Sequence, residues 1–542
     1  MLLLWKARNK RLQRLSLAII AGILLWLAWP PLPFTPIIFI AFVPLLWLQD
    51  QILEEDGSTN VKVLGYGYFA LLIWNALTTY WIYEATLGGA VFAILANSFL
   101  MTIPFLLFHL IKKRLKPALA YIALVVFWVS LEYLHLNWQM AWPWLNLGNV
   151  FSKFPNWVQW YQYTGSLGGT VWVWLINIAI FFLAKKWANG HQSITHLLTN
   201  LGLILAALFI PFIISFNTTI PSASKTLNTV VVQPNVDPYS DKFDEDKINR
   251  QINRLIQLSE EEINSETELV IWPETAIPKQ VNEDNLKNSE IFAPLQEFLQ
   301  SNPNVKLITG INSYQIYDTK ATPTARALSK SNRYYDVFNT ALFMQQEGPY
   351  KTYHKSILVP GVEKMPYPAV FGFLEKIAID MGGTSGSLGA QNEPSLFKLN
   401  NGLNIAPVIC YESIFGDYVG DFTKKGADVI AVITNDGWWG QTSGYKQHFL
   451  YATLRAVETR KSIARAANTG ISCFITPNGK IHEATQFWVE DVRSFNLPIN
   501  QEDTFYERHG DYLGKISVYL TPFLLLALVI VSIIPGAYWP NT

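Results

Sequence analysis

The sequence predicts a polytopic α-helical membrane domain of about eight spans combined with one α/β domain outside the membrane. Only 15% of the 542 residues are charged, whereas a soluble protein has roughly 25%. Long apolar blocks occur before residue 216 and once more near the C-terminal end, and the residues between them have an ordinary globular composition. We therefore predict a transmembrane domain of about seven helices over residues 1–215, a globular domain over residues 216–510, and a final helix and tail over residues 511–542.

The charge balance and the cysteine count exclude several classes of protein. Basic and acidic residues number 41 each, and no basic run resembles a groove that tracks phosphates, so nucleic acid is not an expected partner. The two cysteines, Cys410 and Cys473, are too few for a disulfide scaffold or a thiolate metal site. We expect no metal and no other cofactor. We also predict that both thiols are free and that Cys473 is buried in an apolar strand.

Eight apolar blocks have the composition of membrane spans. They cover residues 15–30, 36–49, 64–82, 90–111, 118–135, 170–184, 196–215 and 514–535. The second and sixth blocks are shorter than the roughly 20 apolar residues that cross a bilayer, so flanking residues must complete them. The first block follows a basic segment, but no small-residue cleavage site comes after it. We therefore predict an uncleaved span and not a signal peptide.

Basic residues predict the orientation of the spans, because short cytoplasmic loops are rich in Lys and Arg. The N-terminal segment is basic, residues 112–116 follow the fourth span with four basic side chains, and Lys185 and Lys186 follow the sixth. These segments are predicted to be cytoplasmic. The acidic residues 54–56 oppose this assignment, but acidic residues count little in the rule. Seven spans then place the globular domain on the opposite side, and the eighth returns the chain to the cytoplasm.

Seven short apolar segments of the globular domain are predicted strands. They cover residues 229–232, 269–272, 306–309, 340–344, 405–410, 429–434 and 471–476. Several are apolar at successive positions, which is typical of strands buried on both faces. Between them, Ile248, Ile252 and Leu255 share one helical face, and a similar pattern covers residues 449–457. Alternating strands and helices predict an α/β layered sandwich.

Three polar residues stand next to apolar strands, at the places where α/β enzymes carry catalytic groups. Glu274 follows one strand, Lys355 precedes a short apolar run, and Cys410 closes a strand before a helix. Singly, they would be a turn carboxylate, an exposed lysine and a buried thiol. Together they predict a nucleophilic site, because helix amides and a nearby cation give a thiol thiolate character and a carboxylate can take its proton. We expect His354 and His448 to be structural.

These residues lie in motifs that resemble those of the nitrilase superfamily of carbon–nitrogen hydrolases. The motifs, in chain order, are WPETA, HKSILVPGVE, CYES and NDGWWG. With seven spans before the domain and one after it, nearly the whole chain is similar to the apolipoprotein N-acyltransferase family, which AWPWLNLGN, QHF and NTGIS also resemble. The chain departs from the usual pattern in residues 361–364, around the loop glutamate, and at Pro234 and Phe243.

The resemblance implies an αββα sandwich in which Glu274 is the general base, Lys355 the electrostatic partner and Cys410 the nucleophile. It also implies functional roles for five further residues: Glu363, Tyr411, Glu412, Asn339 and Trp438. Cys410 would take an acyl chain from a glycerophospholipid as a thioester and pass it to the α-amino group of an apolipoprotein's diacylglyceryl-cysteine. The expected partners are therefore phospholipid, diacylated apolipoprotein and the membrane. The expected location is the bacterial inner membrane, with the catalytic domain periplasmic and both termini cytoplasmic.

Two alternatives use the same sequence features. A membrane-tethered nitrilase or amidase would use the same three residues and release its product to water, although one span would suffice as its tether. A transporter or receptor would be non-enzymatic, but ionisable residues within the spans are scarce, and Glu132 is the main one. We also expect residues 364–377, with Tyr367, Phe371, Phe373 and Leu374, to form an apolar lid that enters the membrane.

Overall fold

The chain divides into two compact units. A computed structural model describes residues 10–55, 59–190, 193–220, 223, 225–239, 242, 247–329, 331–371 and 387–533. The first unit comprises Met1–Thr218 and Asp511–Thr542 and is named the membrane unit for its predicted spans. The second comprises Thr219–Gly510 and is named the catalytic unit for its predicted catalytic residues Glu274, Lys355 and Cys410. Fifteen α-helices lie within the described residues: α1 Lys10–Ala28, α2 Val43–Leu53, α3 Thr59–Thr79, α4 Ile82–Ala85, α5 Leu87–Lys112, α6 Pro117–Asn137, α7 Tyr161–Ala188, α8 Ile194–Asn217, α9 Ile248–Glu262, α10 Phe292–Ser301, α11 Pro368–Phe371, α12 Gly416–Lys424, α13 Ser443–Thr459, α14 Phe505–His509 and α15 Tyr512–Ile533.

The membrane unit contains the eight predicted spans. Eight helical segments of the described chain are long and apolar enough to cross a bilayer, and each overlaps one predicted block. The second span, Thr35–Leu53, consists of a 3-10 turn followed by the eleven-residue α2. The Asn177 side chain of α7 hydrogen-bonds two backbone groups at this break: it accepts from Phe42 N and donates to Ile38 O, both at 2.9 Å. Backbone groups freed within a bilayer need such internal partners.

The sixth span is much longer than the sequence predicts. Helix α7 runs over Tyr161–Ala188, whereas the apolar block covers only residues 170–184. Its first turns contain glycine and polar residues, including Gly165, whose φ of 61° interrupts the helix. Gly169 permits close packing there, since a Cβ would lie 1.8 Å from the Tyr161 hydroxyl. The apolar block therefore does not include these turns, because they consist of small and polar residues that pack closely.

The described residues of the catalytic unit form fourteen strands in two sheets. The strands are β1 Lys225–Gln233, β2 Leu269–Ile271, β3 Ile277–Asn282, β4 Lys306–Tyr317, β5 Arg326–Ala327, β6 Tyr334–Gln345, β7 Lys351–His354, β8 Phe397–Lys398, β9 Asn404–Ile409, β10 Val429–Thr434, β11 Ser462–Ala467, β12 Cys473–Ile475, β13 Ile481–His482 and β14 Asp491–Ile499. The first sheet has the order β14-β1-β2-β4-β6-β5, with β3 paired to β4 and β7 to β6. The second has the order β13-β12-β11-β10-β9-β8. Strands β1, β2 and β4 are mutually parallel, and so are β9, β10 and β11.

Alternating side chains of the first sheet enter two separate cores. Val231 of β1 packs in a core shared with the second sheet and with α12 and α13. Its neighbours Val230 and Val232 instead pack with helices α9 and α10. This alternation follows from the two-residue period of a strand. The layers are therefore helix, sheet, sheet and helix, and the predicted αββα sandwich is confirmed.

Candidate active site

Glu274 lies just beyond the end of β2. The chain leaves the sheet through Pro273, whose carbonyl accepts from Gly310 N at 3.1 Å. A Cβ at Gly310 would lie 2.7 Å from the Glu274 Cα, so only glycine lets β4 pass this turn. The Glu274 side chain is buried. Glu274 therefore lies in a turn, as the simpler alternative has it, and the turn directs its carboxylate into the protein.

Lys355 is buried between two carboxylates. Its Nζ lies 2.8 Å from Glu363 Oε1 and 3.3 Å from Glu274 Oε1, and its side chain is only 1% exposed. Asn339 joins the same group, since its Nδ2 donates to Glu274 at 2.7 Å and to Glu363 at 3.2 Å. The Asn339 carbonyl also accepts from Lys355 N at 2.9 Å. The structure therefore brings four predicted residues together, and Lys355 is not the exposed lysine of the ordinary interpretation.

The charge of Lys355 is secured by its surroundings. Burial alone would lower the pKa of Lys355, but the charges of Glu363 and Glu274 outweigh it and raise that pKa well above its ordinary value. Glu363 is itself held by its loop, because its Oε2 accepts from Val359 N at 2.8 Å. A permanent cation is therefore fixed beside Glu274.

Cys410 stands at a strained elbow after β9. Its φ is +50°, which a side-chain-bearing residue rarely adopts, and a 3-10 turn over Cys410–Ile414 follows before α12. Glu412 ties this elbow to the Lys355 loop: its Oε2 accepts from Ile409 N at 2.7 Å, while its Oε1 accepts from Ser356 N at 2.6 Å. One buried carboxylate therefore links the residue before the predicted nucleophile to the residue after Lys355.

The expected thiolate character of Cys410 is wrong for the resting site. Burial raises the pKa of the Cys410 thiol far above its ordinary value, the charge of Glu274 raises it further, and Lys355 opposes both. The following element is a five-residue 3-10 turn and not a long helix, so its amides add little positive potential. These surroundings therefore favour the protonated thiol over the thiolate.

Two parts of the chain match known protein families. Residues 231–503, half of the chain, match the carbon-nitrogen hydrolase family, and residues 21–179 match the apolipoprotein N-acyltransferase N-terminal domain. The chain belongs to the carbon–nitrogen hydrolase family. The resemblance predicted from the sequence motifs is thereby confirmed.

Several curated relatives of this hydrolase-family chain extend over nearly its whole length. An apolipoprotein N-acyltransferase of Chlorobaculum tepidum is 28% identical over 95% of this chain and 96% of the relative. A protein of the same name from Geobacter metallireducens is 25% identical over 91% of each chain. A third, from Agrobacterium fabrum, is 28% identical over 93% of this chain and 94% of the relative. Among solved structures, Saccharomyces cerevisiae Nit3 of the nitrilase superfamily aligns with a TM-score of 0.37 and 15% identity, covering 52% of this chain and 93% of Nit3.

Two further predicted residues of the hydrolase-family domain lie at different depths. Tyr411 is buried directly after Cys410, with its ring edge-on to Phe415 at 5.2 Å between centroids. Trp438 is partly exposed and instead contacts Tyr239, at 5.2 Å between ring centroids and through a 2.9 Å hydrogen bond from the Tyr239 hydroxyl to the Trp438 carbonyl. Cys473 is a buried free thiol of β12, as predicted, and Cys410 is also free.

Lys242 was missed by the sequence reasoning. It is buried, and its Nζ donates to the Glu274 carbonyl at 3.1 Å. Burial lowers its pKa to about 8, although Glu274 and Cys410 both oppose that shift. The residue lies in a highly charged segment, which is typical of a solvated surface, so its sequence carries no signal of burial.

The predicted lid is described only in its first half. Tyr367 and Val370 are 37% and 63% exposed, and α11 is a single turn. The Phe371 side chain and residues 372–377, with Phe373 and Leu374, lie outside the described residues.

Proposed function

We propose that this chain is an N-acyltransferase that moves a fatty acyl chain from a glycerophospholipid to the N-terminal diacylglyceryl-cysteine of apolipoproteins. The observation that carries the proposal is that matches to two families occur in one chain. A membrane unit similar to the apolipoprotein N-acyltransferase N-terminal domain precedes a carbon–nitrogen hydrolase domain that holds Glu274, Lys355 and Cys410. Relatives named for this activity cover both parts.

In the first half-reaction, Cys410 Sγ attacks the ester carbonyl of the phospholipid. Glu274 takes the thiol proton, a new carbon–sulfur bond forms, and the ester carbon–oxygen bond breaks with proton return to the departing lysophospholipid. Lys355 and the backbone amide of Tyr411 would stabilise the transient oxyanion. Such donors each typically contribute about 3 kcal/mol to the transition state. The raised pKa of Cys410 makes this step depend on Glu274.

In the second half-reaction, the α-amino group of the acceptor attacks the thioester. A carbon–nitrogen bond forms, the carbon–sulfur bond breaks, and Glu274 accepts the ammonium proton and returns a proton to the thiolate. Glu363 keeps Lys355 charged while Glu274 changes its protonation state. The two carboxylates thus have separate proposed duties beside one lysine.

The proposed location is the bacterial inner membrane, with the catalytic unit on the periplasmic side. Eight apolar helices among the described residues make this a membrane protein. The periplasmic assignment is supported by the basic loops after the fourth and sixth spans, which favour the cytoplasm. Both substrates are lipids, which accounts for the presence of many spans in an enzyme of this superfamily.

The test is the isolation of the acyl-enzyme. The purified full chain is incubated with phospholipid alone and examined by intact mass and peptide mapping. We expect one acyl group on Cys410, labile to hydroxylamine and discharged by a diacylated lipopeptide with formation of the triacylated product. Cys410→Ala should gain no acyl group, whereas Cys473→Ala, the matched control, should gain one.

Two results would contradict the proposal. The absence of an acyl adduct on Cys410 with intact folded protein would remove the thioester mechanism. Steady release of fatty acid at the same rate with and without lipopeptide would instead favour the tethered hydrolase.

A further inference from the structure

A buried polar cluster lies directly behind the nucleophile. It consists of Asp436, His448, Arg465 and Ser413, all of which are at most 2% exposed. Asp436 follows β10, Arg465 lies on β11, and His448 lies on α13. Burial opposes ionisation of Asp436, but the charges of Arg465 and His448 outweigh it and lower the pKa of that carboxyl well below its ordinary range. The cluster therefore keeps an ionised carboxylate in the interior.

Both nitrogens of the His448 ring lie against acceptors. Nδ1 is 2.9 Å from Asp436 Oδ1, and Nε2 is 3.2 Å from the Cys410 carbonyl oxygen and 3.1 Å from Ser413 Oγ. The Ser413 hydroxyl itself donates to the Cys410 carbonyl at 2.7 Å. A neutral imidazole has one N–H and would leave one of these contacts repulsive, whereas an imidazolium donates on both sides. Arg465 Nη2, 3.3 Å from Nδ1, donates to the other Asp436 oxygen at 2.7 Å.

The clamped carbonyl belongs to the same peptide unit as the Tyr411 amide. A trans peptide is planar, so its C=O and N–H point in opposite directions. Fixing the Cys410 carbonyl toward His448 and Ser413 therefore fixes the direction of the Tyr411 N–H. The φ of +50° at Cys410 is a conformation that persists only where surrounding contacts enforce it. Donors on the carbonyl also polarise the amide and strengthen its N–H as a donor.

We propose that His448 is a positioning residue which, as an imidazolium anchored by Asp436, clamps the Cys410 carbonyl together with Ser413 and so aims the Tyr411 amide at the oxyanion. The inference deepens the proposed acyl transfer and rests on it. It replaces the expectation that His448 is merely structural. His448 touches neither the thiol proton nor the acyl chain in this role; it acts through one peptide group.

The test separates oxyanion formation from thiol reactivity. Single-turnover acylation of Cys410 is measured with phospholipid vesicles and, independently, with p-nitrophenyl butyrate, while alkylation by iodoacetamide is measured on the same samples. Alkylation uses the thiol but forms no oxyanion. We expect His448→Ala to lower the maximal rate of both acylations about a hundred-fold, the usual effect of a misplaced catalytic group, with KM changed less than about three-fold. Alkylation should change less than about two-fold.

Variants and a spectroscopic readout sharpen the outcome. His448→Gln retains an amide donor and should recover about ten-fold relative to His448→Ala, and Asp436→Asn should resemble His448→Ala. His482→Ala, the control on the partly exposed β13, should match the parent chain. Nitrogen NMR of histidine-labelled protein should show a proton on each ring nitrogen of His448. Unchanged acylation in His448→Ala, or a parallel loss of acylation and alkylation, would overturn the inference.

Failure of the proposed function gives a different result. The parent chain would then react with the p-nitrophenyl ester but not with phospholipid, and the comparison with His448→Ala would still be decided on that ester.

Discussion

Each unit of the molecule contains a three-charge cluster around a buried ion pair, and the two clusters have opposite composition. In the catalytic unit, Lys355 lies between Glu274 and Glu363. In the membrane unit, Asp50 at the end of α2 lies between Lys112 and Lys185. Among the residues in direct ion pairs, the first cluster has one carboxylate more than neutrality requires and the second has one lysine more. The buried Lys242 contacts Glu274 only at its backbone carbonyl.

The difference shows which cluster is suited to chemistry. A spare carboxylate beside a neutral thiol can accept a proton while the lysine stays paired. Asp50 has no such surplus: Lys112 also donates to Gln49 at 2.9 Å and to the Tyr121 hydroxyl at 2.8 Å, and the partly exposed Lys185 extends toward water. Asp50 and Lys112 therefore join α2 to α5 and α6, with no nucleophile among their described partners.

The largest effect is expected from removing the spare carboxylate. Glu274→Gln keeps the shape of the side chain and an acceptor for Asn339 but cannot take the thiol proton. We expect single-turnover acylation to fall about a thousand-fold, within the usual range for a general base, with the melting temperature nearly unchanged. Glu363→Gln is the matched control, since it removes the other carboxylate and should cost roughly ten-fold. Equal losses in the two variants would show that the carboxylates do not have separate duties.

The membrane cluster should respond in stability and not in chemistry. Asp50→Asn leaves Lys112 buried without its counter-charge, and breaking a buried pair costs about 3 kcal/mol of unfolding free energy. Denaturation in detergent would measure this loss, while acylation per folded molecule should stay the same. Adding Lys112→Met removes the unpaired charge and should restore at least half of the stability. A thousand-fold loss of acylation in Asp50→Asn would instead show that the membrane cluster is needed for acylation as well.

Two other buried carboxylates, Glu132 and Glu412, have no contacting cation among the described residues. Glu132 in α6 accepts from Trp128 Nε1 at 2.9 Å, Leu147 N at 2.8 Å and the Thr170 hydroxyl at 2.6 Å. Glu412 in the catalytic unit accepts similarly from backbone amides and from the Tyr353 hydroxyl at 2.7 Å. Glu132 thus anchors the loop after α6 to α7, whereas Glu412 links two loops of the candidate active site.

The Glu132 anchor predicts a moderate loss of stability without loss of chemistry. Thr170→Val removes one donor to Glu132 and the acceptor of Gly148 N at nearly constant volume. We expect about 2 kcal/mol lower unfolding free energy in detergent, because buried polar groups lose their partners. Thr199→Val on an exposed face of α8 is the control and should change stability little. A similar cost at both sites would mean that the Glu132 contacts carry no special weight.

The sequence predicts the apolar and chemically distinctive parts of this chain and misses those that tertiary contacts create. All eight spans and the seven apolar strands are present, because their hydropathy is continuous. Strand β11 is missed because the fully buried Arg465 interrupts its pattern, and β14 because its outward positions are polar. Within the site, motif resemblance identifies Glu274, Lys355 and Cys410, but the burial of Lys242 and the clamp by His448 depend on contacts between distant segments.

The smallest expected effect is a pH dependence of acylation that comes from Glu412. Burial raises the pKa of Glu412 to about 7 despite four donors and the charge of Lys355, so its carboxylate is present above pH 7 and protonated below it. Three of its four partners are backbone amides that can only donate. An added proton therefore displaces one of them or reverses the Tyr353 hydrogen bond, and protonation weakens the remaining bonds that link the Lys355 and Cys410 loops. Acylation should therefore fall about ten-fold from pH 8 to pH 6, as one group of this pKa titrates.

Glu412→Gln should be slow throughout and lack this fall in rate near pH 7. Tyr353→Phe, which removes one donor that lowers the pKa of Glu412, should move the fall to higher pH. A fall near pH 7 that persists in Glu412→Gln would assign the titration to another group.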